Sequence, residues 1–346
     1  MARTTRFYKV GEPLKLEEVD VPDINDSEVL LKIRAASMCY SDIHVITGAI
    51  PVRGPVTLGH EIAGDIVEIG ADVKNVKKGD RAIVHFVTPC SDCYFCLSGK
   101  SNVCMNINST PMYGFSVDGG YAEYIKADSA RIINVPPTIS YDFGASLGCA
   151  GITAIHAVNS IGRVTLGDIV AVYGTGGVGM YVLQLAKLSG ADIAIAVGRT
   201  DEKLRLAQQK FGADGTINIT KERLHEGIKR ISPGKGVNVI FDFVVNTESM
   251  ENSIRVLKNS GKLILVGVVN DQVTISPKRI TLKEVSVAGS SVGSKNELQL
   301  LVDLAEKRKL LGVTSVRYRL DQINEALRAL KDGKIIGRGY IDPLMQ

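Results

Sequence analysis

The run Gly174-Thr175-Gly176-Gly177-Val178-Gly179 decides most of what this chain can fold into. It follows an apolar segment at 168–173 and opens a helical pattern at 180–188. In that strand, turn and helix context each glycine has a distinct use. The first permits the tight turn, the second lets backbone approach a pyrophosphate, and the last lets the helix pack closely. The helix amino terminus adds the partial positive charge that a pyrophosphate seeks. Glycines used only for turning are the competing reading. Strand patterns recur at 193–197, 237–243 and 262–266, with helical patterns at 201–211 and 249–258 between them. Repeated βα units of this length predict an α/β domain built on a doubly wound parallel sheet.

Upstream the texture differs. Residues 28–33, 61–69 and 81–87 are short β-branched runs cut by glycine and proline, which predicts a barrel-like region of small strands. Beyond about residue 289 come a helix at 295–310, a strand at 314–318, a helix at 323–331 and a final strand. That is too little for a domain, so it is expected to fold back on the first region. The expected divisions are therefore 1–150, 151–289 and 290–346, and 346 residues exceed what one core usually serves. A net charge of +4, with both signs interspersed, suggests neither a nucleic-acid nor a membrane partner. No apolar stretch approaches the ~20 residues of a membrane-spanning helix. The opening residues resemble no secretion signal, and a reducing cytoplasm is the expected location.

Four of the six cysteines, Cys90, Cys93, Cys96 and Cys104, follow the spacing C-x2-C-x2-C-x7-C. That spacing reads as a closed tetrahedral zinc site organising a loop. An iron-sulfur run would place its fourth cysteine after three residues, not seven. A nucleic-acid finger would want basic flanks, and these are nearly neutral. Cys39 and Cys149 stand apart, and His60 offers them a third donor. Two thiolates and an imidazole leave one zinc position open, as a catalytic zinc requires.

Taken together, Cys39 to His44, Gly59-His60-Glu61, the four-cysteine loop, Leu147-Gly148-Cys149, the glycine run, and Gly333 to Arg338 resemble the zinc-dependent alcohol dehydrogenases of the medium-chain dehydrogenase/reductase superfamily. The resemblance covers nearly the whole chain. It implies a GroES-like β-barrel catalytic domain around a Rossmann domain, assembled as a dimer or homotetramer. It further implies that Cys39, His60 and Cys149 hold the catalytic zinc, with Glu61 able to approach it and Asp42 orienting His60. Ser41 resembles the hydroxyl that touches the substrate oxygen, and His44 the outer end of a proton relay; a turn serine and a surface histidine are the ordinary alternatives. Arg338 resembles an arginine that contacts the cofactor pyrophosphate. Ile50 and Phe86 stand where the family lines an apolar substrate pocket. Asp92 departs from the pattern, where glycine is common.

A dinucleotide fold that prefers NAD usually carries an acid about 20 residues beyond the glycines. Here the second strand ends in Gly198-Arg199-Thr200. Glycine leaves room for a 2′-phosphate, and Arg199, with Lys203 nearby, can pair with it. NADP is therefore favoured over NAD, with Asp201 the rival ribose ligand. Val266, closing a later strand, is added to the cofactor residues. The expected enzyme carries two zinc ions per subunit and acts on a small alcohol, aldehyde or ketone. Polyol dehydrogenases of the superfamily usually have glutamate where Cys149 stands. A polyol or sugar dehydrogenase and a zinc-free enoyl-thioester or quinone reductase are the other readings.

Overall fold

The computed structural model describes residues 1–268 and 272–345. It comprises two compact units, Met1–Ile152 with Gly293–Gln346, and Thr153–Val292. The divisions fall at 152/153 and 292/293, where the texture of the sequence put them at 150/151 and 289/290.

In the first unit, Ala2–Phe7 lies between Lys15–Val19 and Val56–Thr57 in a small antiparallel sheet. A seven-stranded sheet runs Thr314–Arg319, Arg338–Asp342, Glu28–Ser37, Glu61–Ile69, Arg81–Val84, Ile132–Asn134, with Tyr124–Asp128 also paired to Glu28–Ser37. Glu28–Ser37 is the organising strand. It reads EVLLKIRAAS, apolar enough to be buried along most of its length, so it can sit between partners on both edges. The carboxy-terminal segment enters the sheet through Arg338–Asp342, antiparallel to Glu28–Ser37.

The second unit is one parallel six-stranded sheet in the order Gly215–Asn218, Ile193–Gly198, Ile169–Tyr173, Val237–Asp242, Leu257–Leu265, Ser286–Gly289. Ile169–Tyr173 is buried at every residue, as befits a central strand covered on both faces. Four of its elements escaped the sequence reading. Gly215–Asn218 is only four residues and begins with glycine, and Leu224–Ile231 carries Gly227, which weakens a helical pattern. Pro277–Lys283 and Ser286–Gly289 bury little, so no periodicity marks them. The helix read at 249–258 and the strand read at 262–266 shift as well. The helix is Thr247–Val256, capped by Asn246, and the strand starts at once with Leu257. Among the described residues, no helix is long and apolar enough to cross a membrane.

Candidate active site

Two strand registers in the first unit deliver the scattered donors to one place. Ser37 pairs with Glu61 across one edge of Glu28–Ser37, and Ser37 pairs with Tyr340 across the other. Cys39 therefore arrives beside His60 and Glu61, with Arg338 next to it. Cys149 comes from a π-helical turn, Leu147–Gly151, in which Gly148 lies against Ile83 and Glu61. Such turns widen a helix by one residue and recur at functional sites. One ligand atom each from Cys39, His60, Glu61 and Cys149 lies within 4.8 Å of the others.

Asp42 fixes the geometry. Its Oδ2 accepts from the backbone N–H of Cys39 at 2.9 Å and from the Tyr121 hydroxyl at 2.6 Å, while Oδ1 stands 3.5 Å from His60 Nδ1. His60 thereby turns Nε2 toward the two thiols, the arrangement that a carboxylate imposes on a metal-binding imidazole. Gly59 makes the approach possible. Its φ is +89°, and a Cβ there would meet the Tyr121 ring at 2.8 Å. The Arg338 guanidinium, buried like its partners, lies 2.8 Å from Glu61 Oε1 without hydrogen-bond alignment, donates to the Met38 carbonyl at 2.9 Å and reaches Cys39 Sγ at 3.7 Å. Its guanidinium therefore serves the donor cluster in this structure.

The protonation pattern is that of negative donors crowded around a point. A hydrogen bond from Cys149, with Arg338 and His60 nearby, holds the Cys39 thiol well below its usual range, and the same bond pushes Cys149 up. Burial pushes Glu61 up to about 8 against the pull of Arg338. Burial disfavours imidazolium at His60, yet hydrogen bonds to Asp42 and Cys39 overcome it and raise the group to about 10. Both Glu61 oxygens are buried without a hydrogen-bond partner. Two thiols that share a proton, an oriented imidazole and an unsatisfied carboxylate form a donor set for a divalent cation, which would displace those protons.

Ser41 Oγ stands 3.5 Å from Cys39 Sγ, at the start of helix Tyr40–Thr47. His44 is half-buried on the same helix, its ring edge-on to Tyr40 at 5.2 Å. Phe86 packs 5.0 Å from the His60 ring, and half-buried Ile50 donates its N–H to the His44 carbonyl. Sequence reasoning missed Tyr121 and also Phe115, whose ring lies 4.9 Å from His60. Neither carries a spacing signal; Tyr121 is 79 residues from the carboxylate it bonds.

Behind Phe86 lies His85, its ring between the carbonyls of Val87 (2.9 Å) and Gly293 (3.2 Å). Burial lowers its pKa to about 4, the two carbonyls opposing. Only the unfolded chain takes up this proton between pH 6.5 and 4, so stability should fall by about 3 kcal/mol as pH drops through that window. Urea unfolding at pH 7 and pH 4.5 should show His85→Gln losing less stability on acidification than the wild type; equal losses would count against this cause.

The Cys90, Cys93, Cys96 and Cys104 sulfurs form a second cluster. Four of their separations are 3.4, 3.5, 3.9 and 4.0 Å, near the ~3.8 Å edge of a tetrahedron with 2.3 Å Zn–S bonds and far from a disulfide's ~2.05 Å. Backbone N–H groups aim at these sulfurs: those of Cys90 and Asn106 at Cys104, and those of Cys96 and Met105 at Cys93, holding the Cys93 thiol down to about 6. The lobe has no core to hold it. Helix Tyr94–Leu97 buries none of its residues, and Tyr94, Leu97 and Met105 are 73%, 75% and 69% exposed.

In the second unit the glycine run joins Ile169–Tyr173 to helix Gly177–Leu188. A Cβ at Gly179 would stand 2.1 Å from the Gly174 carbonyl, so only glycine lets the helix pack there, whereas a Cβ at Gly176 would point into open space. That open cradle at a helix amino terminus fits a pyrophosphate. Val178 is half-buried, and Val266 is buried with its N–H on the Asp242 carbonyl at 2.9 Å. Arg199 is exposed and makes no hydrogen bond or ion pair among the described residues, yet its charge is felt at Tyr173 and Lys203. The space over Gly198 is taken by the Thr175 hydroxyl, 2.9 Å from where a Cβ would be.

Comparison with known proteins gives this architecture its class. An alcohol dehydrogenase GroES-like domain model matches residues 25–137, and a zinc-binding dehydrogenase model matches residues 177–307. An NAD-dependent alcohol dehydrogenase of Sulfurisphaera tokodaii is 33% identical over 99% of this chain and all of its own. An alcohol dehydrogenase of Geobacillus stearothermophilus is 36% identical over 94% of each chain. The crystal structure of the alcohol dehydrogenase from Aeropyrum pernix superimposes with a TM-score of 0.90 at 32% identity, covering 99% of this chain and 100% of that one. The chain belongs to the zinc-type alcohol dehydrogenases of the medium-chain superfamily. As an NAD(P)-dependent alcohol dehydrogenase, it moves hydride between an alcohol and a nicotinamide dinucleotide.

Proposed function

We propose that this chain is a two-zinc, NADP-preferring dehydrogenase of simple alcohols, also acting as a reductase of the matching aldehydes and ketones. The observation that carries the reading is the pair of donor clusters. Four thiols form one cluster, and two thiols, an oriented imidazole and the Glu61 carboxylate form the other; with Glu61 left to Arg338 at 2.8 Å, the second site keeps a position to spare. Cys39, His60 and Cys149 would hold the catalytic zinc, with Glu61 in reserve, and Cys90, Cys93, Cys96 and Cys104 the structural one. When bound, zinc supplies a Lewis acid that lowers an alcohol's pKa and polarises a carbonyl, and the dinucleotide supplies the hydride acceptor.

The chain's own residues do the rest. Asp42, itself held by the Tyr121 hydroxyl, stands at Nδ1 of His60 and aims Nε2 inward, and Arg338 offsets the charge of Glu61 and Cys39. Ser41, beside Cys39 on the outer side of the donor set, takes the substrate's proton, and His44, three residues on, passes it to water. Phe86 and Phe115 against His60, with Ile50, make an apolar surround suited to an alcohol rather than a polyol. Cys149 in place of glutamate supports the same choice. Assembly as a dimer or tetramer in the cytoplasm completes the reading.

The preference for NADP rests on Arg199, exposed and without a hydrogen bond or ion pair among the described residues, at the end of the second strand where a 2′-phosphate would lie; the space over Gly198 itself is taken by Thr175. The test is kcat/KM for a panel of alcohols and aldehydes with each cofactor. NADP should be favoured, and Arg199→Ala should cost roughly tenfold or more with NADP and little with NAD. A wild-type preference for NAD would overturn the assignment.

A further inference from the structure

Resting on the cofactor reading above, we infer that Asn218 and Lys221 are specificity residues that act by holding the Asp201 carboxylate away from the dinucleotide. Asp201 is the acid that follows the second strand, three residues beyond Gly198, and left to itself it could bond a ribose 2′-hydroxyl. In the structure both of its oxygens are taken. Oδ1 accepts from Asn218 Nδ2 at 2.6 Å, and Oδ2 from Lys221 Nζ at 2.6 Å. These two bonds also hold the carboxyl below its usual range, so it stays ionised and engaged.

The direction of the hold is set by the sheet. Gly215–Asn218 pairs with Ile193–Gly198 on the side opposite Ile169–Tyr173, the strand that feeds the glycine run. Asn218 is level with Gly198 in that register. Asp201 is therefore drawn toward the sheet's outer edge, away from the pyrophosphate cradle. Arg199, by contrast, acts electrostatically on Tyr173 at the end of the glycine strand and on Lys203. Arg199, two positions before the acid, makes no hydrogen bond or ion pair among the described residues and is exposed. Asn218 is itself held in place: its Oδ1 accepts from the Thr220 N–H at 3.0 Å and from the Thr220 hydroxyl at 2.7 Å, which leaves Nδ2 for Asp201. An anion kept from the 2′ position spares a 2′-phosphate repulsion and denies a 2′-hydroxyl its usual acceptor.

The test is equilibrium binding of NADPH and NADH, read by nicotinamide fluorescence without turnover. Asn218→Asp keeps both bonds with Thr220 but sets a carboxylate against Asp201, and Lys221→Met keeps the side-chain stem while removing the charge. The double variant should bind NADH more tightly and NADPH more weakly, moving the affinity ratio roughly tenfold. Adding Asp201→Asn to it should return the ratio close to the wild-type value, which a general disturbance of the loop would not do. A ratio within about twofold of wild type in the double variant, or a shift that survives Asp201→Asn, would overturn the proposal. A wild-type chain that prefers NADH would overturn the cofactor reading instead, and the lock is still judged by the shift among the variants.

Discussion

Cys149→Ser is expected to lower alcohol oxidation by more than ~10³-fold while leaving the fold intact. Serine nearly matches the thiol in size, so the turn Leu147–Gly151 and its packing on Ile83 should persist. What is lost is one of two soft anionic donors in a site that has only one imidazole besides. Cys39 and His60 alone cannot hold the metal, and Glu61, ion-paired with Arg338 at 2.8 Å, is a poor replacement for the lost thiolate. Ser41→Ala separates metal loss from proton transfer. It leaves every donor in place and should cost in the ~10²- to 10⁴-fold range of a lost acid-base group, with zinc retained. Turnover and zinc content measured on both variants check the pair of outcomes; a Cys149→Ser enzyme with wild-type turnover would contradict the ligand assignment.

Cys104→Ser should act on stability more than on chemistry. The lobe it closes buries little of its own apolar surface, and its backbone N–H groups are arranged around sulfur, so the binding energy of a closed site becomes folding energy for this segment. Losing it should cost roughly 3 kcal/mol or more, a drop in Tm of roughly 6–12 °C for a unit of this size. Protease cutting between residues 90 and 110 should speed up as well. A melting curve that matches wild type would mean that the four cysteines do not close around a metal.

What could be read from the chain in advance follows contiguity. The glycine run and the four-cysteine loop are local, each spacing constrained by one turn or one ion, and both were legible in the residues alone. The other cluster is not local. Cys39, His60 and Cys149 meet only because Ser37 pairs with Glu61 and a π-helical turn lies against the same strand. No pattern of hydropathy states a register between strands 24 residues apart, so the two leftover cysteines and His60 suggest the site by residue type alone, and the family resemblance adds Glu61 and Asp42 to it. Tyr121 and Phe115 were invisible for the same reason. Asp201 shows the converse: the sequence exposes the residue but not that Asn218 and Lys221 hold it. The motif at Gly333 to Arg338 marks Arg338 in the sequence, but its place beside Glu61 depends on the last strand joining Glu28–Ser37 through Tyr340 and Ser37.

One closed and one open zinc site in a single alcohol dehydrogenase require two metal ions in each subunit, a number that can be weighed. Elemental analysis of the wild-type chain should give close to two zinc ions per subunit, falling to about one in Cys149→Ser as alcohol oxidation is lost and to about one in Cys104→Ser as stability is lost. A wild-type chain that holds one zinc or none at full activity would rule out the two-site arrangement.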